Sequence, residues 1–498
     1  MKKKRLLVLG LTILIAGQTL LTGCSSSDSE SKAKDNSTEN DSLLDPNNPV
    51  SITLWDYYTG AQQAIVDELV DEFNSSVGNE KGIYVEAFSK GSVSDLEQAI
   101  VDAIDEEPGA DALPNIFSTY VDTSAYALQN DKLVDLTQYF TDEELDKYVD
   151  SYVEEGYITN TDQLYILPVA KSTELLMINT TDWEPFAEAT GSTLDELSTV
   201  EGITEVAERY YNWTDEQTPD VADDGKAFYG RDSMSNYFVL GMMQMGKEIF
   251  EVEGDNVTFN LDKEYIRKLW DNYYVPYVKG YFASYGKFRS DDVKTGEIIA
   301  YTGSTASALY FPDQVDTDDE TYDISYTVME APIIEGGKNI KAQQGAGMAV
   351  TTSDQAHEYA ACVFLKWFTE KEQNIRFAIE SAYMPVLKES NNIETIDQVI
   401  KDNSIEVNSK NYDSLKTVLA DFDEDDFYTT KNFANAYATR KVLDYNLSDK
   451  ASADMDAIKA AMSEGESREE ATASYLTDEA FEQWYEDFCD ALKEAYGQ

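Results

Sequence analysis

The sequence predicts an α/β protein built as two or three packed lobes, and three observations lead there. From Ser51 onward short apolar runs alternate with amphipathic stretches, the signature of a largely parallel sheet layered with helices. About 450 residues follow Pro49, too many for one ordinary core. With 42% hydrophobic residues there is enough apolar material to fill the cores. No later stretch approaches about 18 uninterrupted apolar residues, so this part is expected not to span a membrane.

The elements follow in order. Residues 52–55 read as a strand, 61–73 as a helix, 83–88 as a strand, 96–104 as a helix, 115–120 as a strand, and a short helix lies near Ala125. On the first helix Ile65, Leu69 and Phe73 recur at i, i+4 and i+8, which makes one buried stripe. Ligands of such open sheets bind beyond the carboxyl ends of the strands. The loops at 56–60, 89–92 and 120–124 would emerge there, and they are rich in Tyr, Ser, Thr, Lys and Asp. A small polar ligand suits them.

The N-terminus carries a separate message. Lys2, Lys3, Lys4 and Arg5 precede an apolar run over 6–16 and a short segment ending at Cys24, the layout of a signal peptide. Leu21-Thr22-Gly23-Cys24 resembles the bacterial lipobox, which implies cleavage after residue 23 and lipidation of Cys24. A diacylglyceryl cysteine supplies the two chains that stable anchoring needs. Residues 24–49 hold little besides Ser, Asp, Asn, Glu, Lys and Thr; they cannot offset the entropy of ordering and read as a tether. The expected location is the extracytoplasmic face of the membrane.

Charge and cysteine content narrow the partners. Acidic residues number 95 against 38 basic, a net charge of −57, so nucleic acid and anionic lipid are poor partners. Beyond Cys24 only Cys362 and Cys489 remain. Cys362 lies on an apolar helix face and reads as core; no disulfide framework is expected, while a single Cys362–Cys489 bridge stays open.

Four segments, in order and spacing, resemble the extracellular solute-binding proteins of the family 1 type. They are the opening strand and helix over 52–74; Tyr165-Ile166-Leu167-Pro168-Val169-Ala170-Lys171-Ser172 with the strand that follows to Asn179; Gly345-Ala346-Gly347-Met348-Ala349-Val350 with the helix over 356–368; and Ser381-Ala382-Tyr383-Met384-Pro385-Val386. The resemblance implies a two-lobed periplasmic-binding-protein-like fold of type II with an interlobe cleft. It places crossovers near 167–172, 329–332 and 384–385. The lobes would then be 50–169 with 330–383, and 170–329 with 384–498. It also implies a monomer that captures a carbohydrate by lobe closure and delivers it to an ABC permease served by a separate ATPase, with no cofactor and no catalysis.

Positions matching the family pattern are the candidate ligand contacts: Trp55, Tyr57, Lys90, Tyr120, Lys171, Ser172, Gly345 and Tyr383. In the second lobe, Gly230-Arg231-Asp232-Ser233-Met234-Ser235-Asn236-Tyr237 matches a helix start that members turn toward ligand, which adds Ser233 and Tyr237. Helix N-terminal amides suit ligand oxygens, although Ser233 is equally suited to be a plain N-cap. Tyr301-Thr302-Gly303-Ser304-Thr305 ends a strand and adds Ser304 and Thr305. Members reading glycerol phosphate or glycerophosphodiesters use a C-terminal Arg, where this chain offers Lys431. Lys lacks the bidentate fork, so a neutral sugar is preferred and the phosphodiester is the alternative.

Other chemistries find little support. His357 is the single histidine, too few for a multi-histidine metal site, and a Ser-His-Asp triad would have to run through an exposed-looking helix start. No phosphate-binding loop motif occurs. The acidic run at 421–426 lacks the glycine and distal glutamate of a calcium loop. A secreted glycoside hydrolase has only the abundance of carboxylates in its favour, and a surface adhesin would not need crossover segments.

Overall fold

The computed structural model describes residues 41–497 apart from 159–161, 255, 421 and 423–424. The signal peptide, Cys24, most of the tether and part of the acidic run at 421–426 lie outside the described residues.

Two sheets organise the chain. The first has the order Ile83–Ser89, Val50–Asp56, Ile116–Thr119, Gly347–Val350, Leu167–Pro168. Val50–Asp56 runs parallel to both neighbours, and Gly347–Val350 is antiparallel to the strands flanking it. The second has the order Tyr326–Glu330, Glu174–Asn179, Ala300–Ser304, Tyr229–Arg231, with only the last pair parallel. Each strand predicted in the opening stretch is present, as are helices Ala61–Ser75, Val93–Ile104 and Val121–Gln129 between them. The expected stripe is buried: Ile65, Leu69 and Phe73 all face the first core.

Each sheet has its own core. Ile52, Leu54, Val85, Phe364 and Phe377 belong to the first, and Leu176, Ile178, Phe186, Trp270 and Phe238 to the second. The long helix Ala436–Ser463 closes the second core by burying Leu443, Leu447, Ala451, Met455 and Ile458, spaced three to four residues apart, so one stripe faces inward. Helix Asp478–Tyr496 lies against it through Trp484, Phe488 and Leu492. Cys362 and Cys489 are free thiols, each buried in or beside a different core. Among the described residues no helix is long and apolar enough to cross a membrane.

Three segments meet between the sheets. Lys171 pairs with Met384 and Ser172 with Gln344 through antiparallel backbone bridges, so 171–172 is the middle ply of a three-ply ribbon. The first passage between sheets is where the sequence places it. The passage expected at 384–385 lies in this ribbon, yet the chain stays with the first core: Leu387, Ile396, Val399, Leu415 and Leu419 all pack there. Apolar periodicity shows that these helices bury a stripe, not which core receives it. The chain passes over afterwards, through Asp426–Tyr428, which pairs with Ile340–Ala342.

Candidate functional site

Strand direction decides where a ligand can sit. In the first sheet the carboxyl ends are Asp56, Ser89, Thr119 and Pro168, and in the second they include Arg231 and Ser304. Both edges turn toward the ribbon, because the links between sheets leave from Pro168 and enter at Glu174. The space between them is the binding crevice that open α/β sheets offer.

On the first wall Asp56 is fully buried, one carboxylate oxygen accepting from Tyr58 N–H at 2.9 Å and the other having no partner among the described residues. Burial raises its pKa to about 7. Beside it stands a tyrosine cluster. The hydroxyls of Tyr57 and Tyr383 lie 3.4 Å apart, Tyr57 and Tyr58 rings are 4.8 Å apart, and Tyr58 and Tyr383 rings meet edge-on at 6.2 Å. Burial holds the phenols of Tyr57, Tyr120 and Tyr383 above their ordinary value, and Tyr120 and Tyr383 raise Tyr57 further. They therefore stay neutral and can donate to hydroxyl or carbonyl oxygens. Trp55 is a core residue of this lobe, covered by Lys90, whose ammonium sits 3.6 Å from the indole centroid and 3.0 Å from Asp111.

The floor is the ribbon. The ammonium of Lys171 is 2.7 Å from Glu155 and donates to the Gly345 carbonyl at 3.0 Å. Gln343 donates to the same Glu155 oxygen at 2.8 Å. Gly345 adopts φ +99°, and an added Cβ would lie 2.9 Å from the Ala170 carbonyl oxygen; the residue is glycine because two segments pass that closely. Ser172 is bound into the ribbon by its backbone.

The second wall is polar and pre-ordered. Glu174 binds Arg231 at 2.9 Å and accepts from Asn236 Nδ2 at 3.0 Å. Ser233 caps helix Met234–Gln244 by accepting from Asn236 N–H, and Ser304 caps the next turn by accepting from Ala306 N–H. The buried Thr305 hydroxyl has no partner among the described residues. Tyr237 turns away, donating to the Leu269 carbonyl at 2.9 Å inside the second core. Asp232 is held by Arg289 N–H at 2.9 Å, and its other oxygen lies over Gly303, 2.7 Å from where a Cβ would be. Burial raises its carboxyl to about 6, against the opposing pull of Arg289.

The structure thus brings Tyr57, Tyr120 and Tyr383 together, sets Ser233, Ser304 and Thr305 opposite, and places Lys171, Ser172 and Gly345 in the floor. The crevice opens into a cleft of about 750 Å³ lined by Tyr120, Asp122, Asn236, Gln343, Lys431 and Arg440 among others. Asp56, Asp232, Asn236 and Arg440 were not among the sequence candidates. Asp232 and Asn236 lie inside the singled-out helix start, whereas Arg440 has no local signal at all. Among the described residues no cluster of His, Cys, Asp and Glu could hold a metal ion.

This architecture recurs in solved structures. UgpB from Mycobacterium tuberculosis in complex with glycerophosphocholine superposes with a TM-score of 0.63 at 16% identity, covering 90% of this chain and 98% of that one. The cyclic alpha-maltosyl-1,6-maltose binding protein of Arthrobacter globiformis gives 0.61 at 16% identity over 90% and 100%. A solute-binding protein of Agrobacterium radiobacter in complex with ribitol gives 0.59 at 15% over 91% and 99%. These likenesses show the two-lobed periplasmic-binding-protein fold. No curated protein matches the sequence. Residues 68–404 match the family described as bacterial extracellular solute-binding protein, and with well over half of the chain in that match, the protein belongs to this family.

Proposed function

We propose that the protein captures a neutral carbohydrate or polyol outside the cell, closes its lobes over it and hands it to an ABC permease powered by a separate ATPase. One observation carries the reading: neutral tyrosine hydroxyls on one wall face carboxylates and serine hydroxyls on the other. Polyols need paired donors and acceptors, and apolar sugar faces stack on aromatic rings. The maltosyl-maltose and ribitol binders of the same fold support the reading. In it Tyr57, Tyr120, Tyr383, Asp232, Ser233 and Ser304 contact ligand, and Lys171, Ser172 and Gly345 shape the floor. The lobes follow the two cores, the protein works as a monomer, and it performs no covalent chemistry. Cys24 carries the lipid anchor on the extracytoplasmic face, an assignment checked by mass spectrometry of the membrane-extracted chain.

A phosphodiester is the second reading, favoured by Lys431, which lines the cleft with no ion pair among the described residues. A thermal-shift screen of the chain from Val50 tests both. A ligand at 100 times its Kd adds about 2.7 kcal/mol. A shift with maltotriose or ribitol supports the first reading, a shift with glycerophosphocholine alone favours the second, and turnover of any glycan overturns both.

A further inference from the structure

Of the described arginines only Arg440 and Arg468 make no ion pair, and Arg468, which donates to the Asp223 carbonyl, does not line the cleft. Arg209, Arg231, Arg267, Arg289 and Arg376 are each within ion-pair distance of a carboxylate. Arg440 makes no ion pair among the described residues; its guanidinium has a 3.4 Å bond to the neutral Asn236 Oδ1. It projects from helix Ala436–Ser463, which is anchored in the second core by Leu443 and Leu447. Asp122 lines the same cleft from helix Val121–Gln129, whose Ala127 packs with Trp55 and Phe117 on the first sheet. Asp122 likewise has no ion pair among the described residues. Two unpaired opposite charges therefore line one opening from different lobes.

Further charges lie on the same helix and on the helix packed beside Asp122. Lys441 follows Arg440, its ammonium lying 5.1 Å from the Tyr437 ring and 5.3 Å from the Tyr445 ring, two exposed side chains that steer it. Glu97 sits on helix Val93–Ile104, buried into the first lobe through Leu96 and Ile100. Burial raises the carboxyls of both Asp122 and Glu97; the charge of Arg440 lowers the former and that of Lys441 the latter. In a chain with 95 acidic and 38 basic residues, Arg440 is a cation left without an ion pair among the described residues while an acid of the other lobe lines the same cleft.

We infer that Arg440 forms an interlobe charge latch with Asp122 that favours the closed arrangement before any ligand enters. The inference rests on the lobe-closure reading above. On closing, the Arg440 guanidinium exchanges its weak contact with Asn236 for Asp122, a charge-assisted bond. Because that acid sits at an opening reached by solvent, the attraction is screened by salt.

Small-angle scattering of the ligand-free protein tests it without knowledge of the solute. The radius of gyration should rise between about 20 mM and about 1 M NaCl, where the Debye length falls to about 3 Å. Arg440→Glu should already show the high-salt value at low salt, and the swap Asp122→Arg with Arg440→Asp should return the wild-type value. A radius in Arg440→Glu equal to wild type at low salt, or a swap that fails to restore it, overturns the latch. Failure of every carbohydrate in the binding screen would overturn the ligand reading while leaving the scattering result to stand, so the two failures are distinguishable.

Discussion

The side chains of Asn236 and Gln344 are joined directly, Asn236 Nδ2 donating to Gln344 Oε1 at 3.0 Å. One residue opens a helix of the second lobe and the other lies in the ribbon between the lobes, so a wall of the crevice is tied to its floor. The same Nδ2 reaches Glu174. Asn236→Ala leaves both acceptors short of a donor, and an unsatisfied buried group costs about 1–3 kcal/mol. Urea denaturation should show a loss in that range, with a larger effect than Ser233→Ala, which removes one cap worth about 1 kcal/mol.

Asp56 predicts a pH-dependent stability. Its folded pKa of about 7 lies above the ordinary value of 3.8 because burial disfavours the charge. The folded state therefore holds this proton more tightly than the unfolded state, so its contribution is full below the unfolded pKa and is lost as pH rises through about 7. The slope is at most about 1.4 kcal/mol per pH unit. Asp56→Asn should flatten the fall in stability across that window, read from denaturant midpoints over a pH series. A wild-type curve already flat there would mean that the carboxylate is solvated.

Asp232 links pH to binding instead. Its carboxyl, raised to about 6, accepts ligand hydroxyls more strongly when ionised, so in the proposed reading affinity for a bound polyol should fall as pH drops through that value. Asp232→Asn should abolish the pH effect. Gly303→Ala checks the geometry independently. The new methyl would lie 2.7 Å from Asp232 Oδ2 and 3.0 Å from Ser307 Oγ, displacing the carboxylate and weakening binding at every pH. Calorimetric titration with the sugar found in the screen separates the two.

Tyr383→Phe addresses the opposite wall. The ring stacks on Phe377 at 6.2 Å and its packing survives the change, while the hydroxyl 3.4 Å from Tyr57 is lost. A hydrogen bond of about 1 kcal/mol corresponds to roughly fivefold weaker binding, with the melting temperature little changed. Trp55→Ala should behave differently: the indole is core beneath Lys90, and truncating it costs about 3–5 kcal/mol of stability.

These contrasts locate what the sequence reveals. Ile65, Leu69 and Phe73 announce their helix because the period is local, and the first sheet follows from equally local alternation. Leu415 and Leu419 announce a helix but not the core they join, since that depends on contacts far along the chain. Asp232 lies one residue before a recognised helix start, yet its direction depends on Arg289 and Gly303, which only the folded sheet brings near. Arg440 sits on a helix whose buried stripe faces the second core, and its place at the cleft depends on how that whole helix docks.

Lys171 shows the same limit and yields the last prediction. Its position suggested a ligand contact, but its ammonium, 2% exposed, is bound to Glu155 and Gly345. Removing one member of a buried pair leaves the other charge uncompensated and costs about 3–5 kcal/mol, whereas replacing both with apolar groups is often neutral. Lys171→Met should therefore be strongly destabilising, and Lys171→Met with Glu155→Met should recover much of the loss, giving a coupling energy of about 1–3 kcal/mol in a double-mutant cycle. If Lys171→Met instead keeps full stability and loses only ligand affinity, the lysine serves the solute rather than the ribbon.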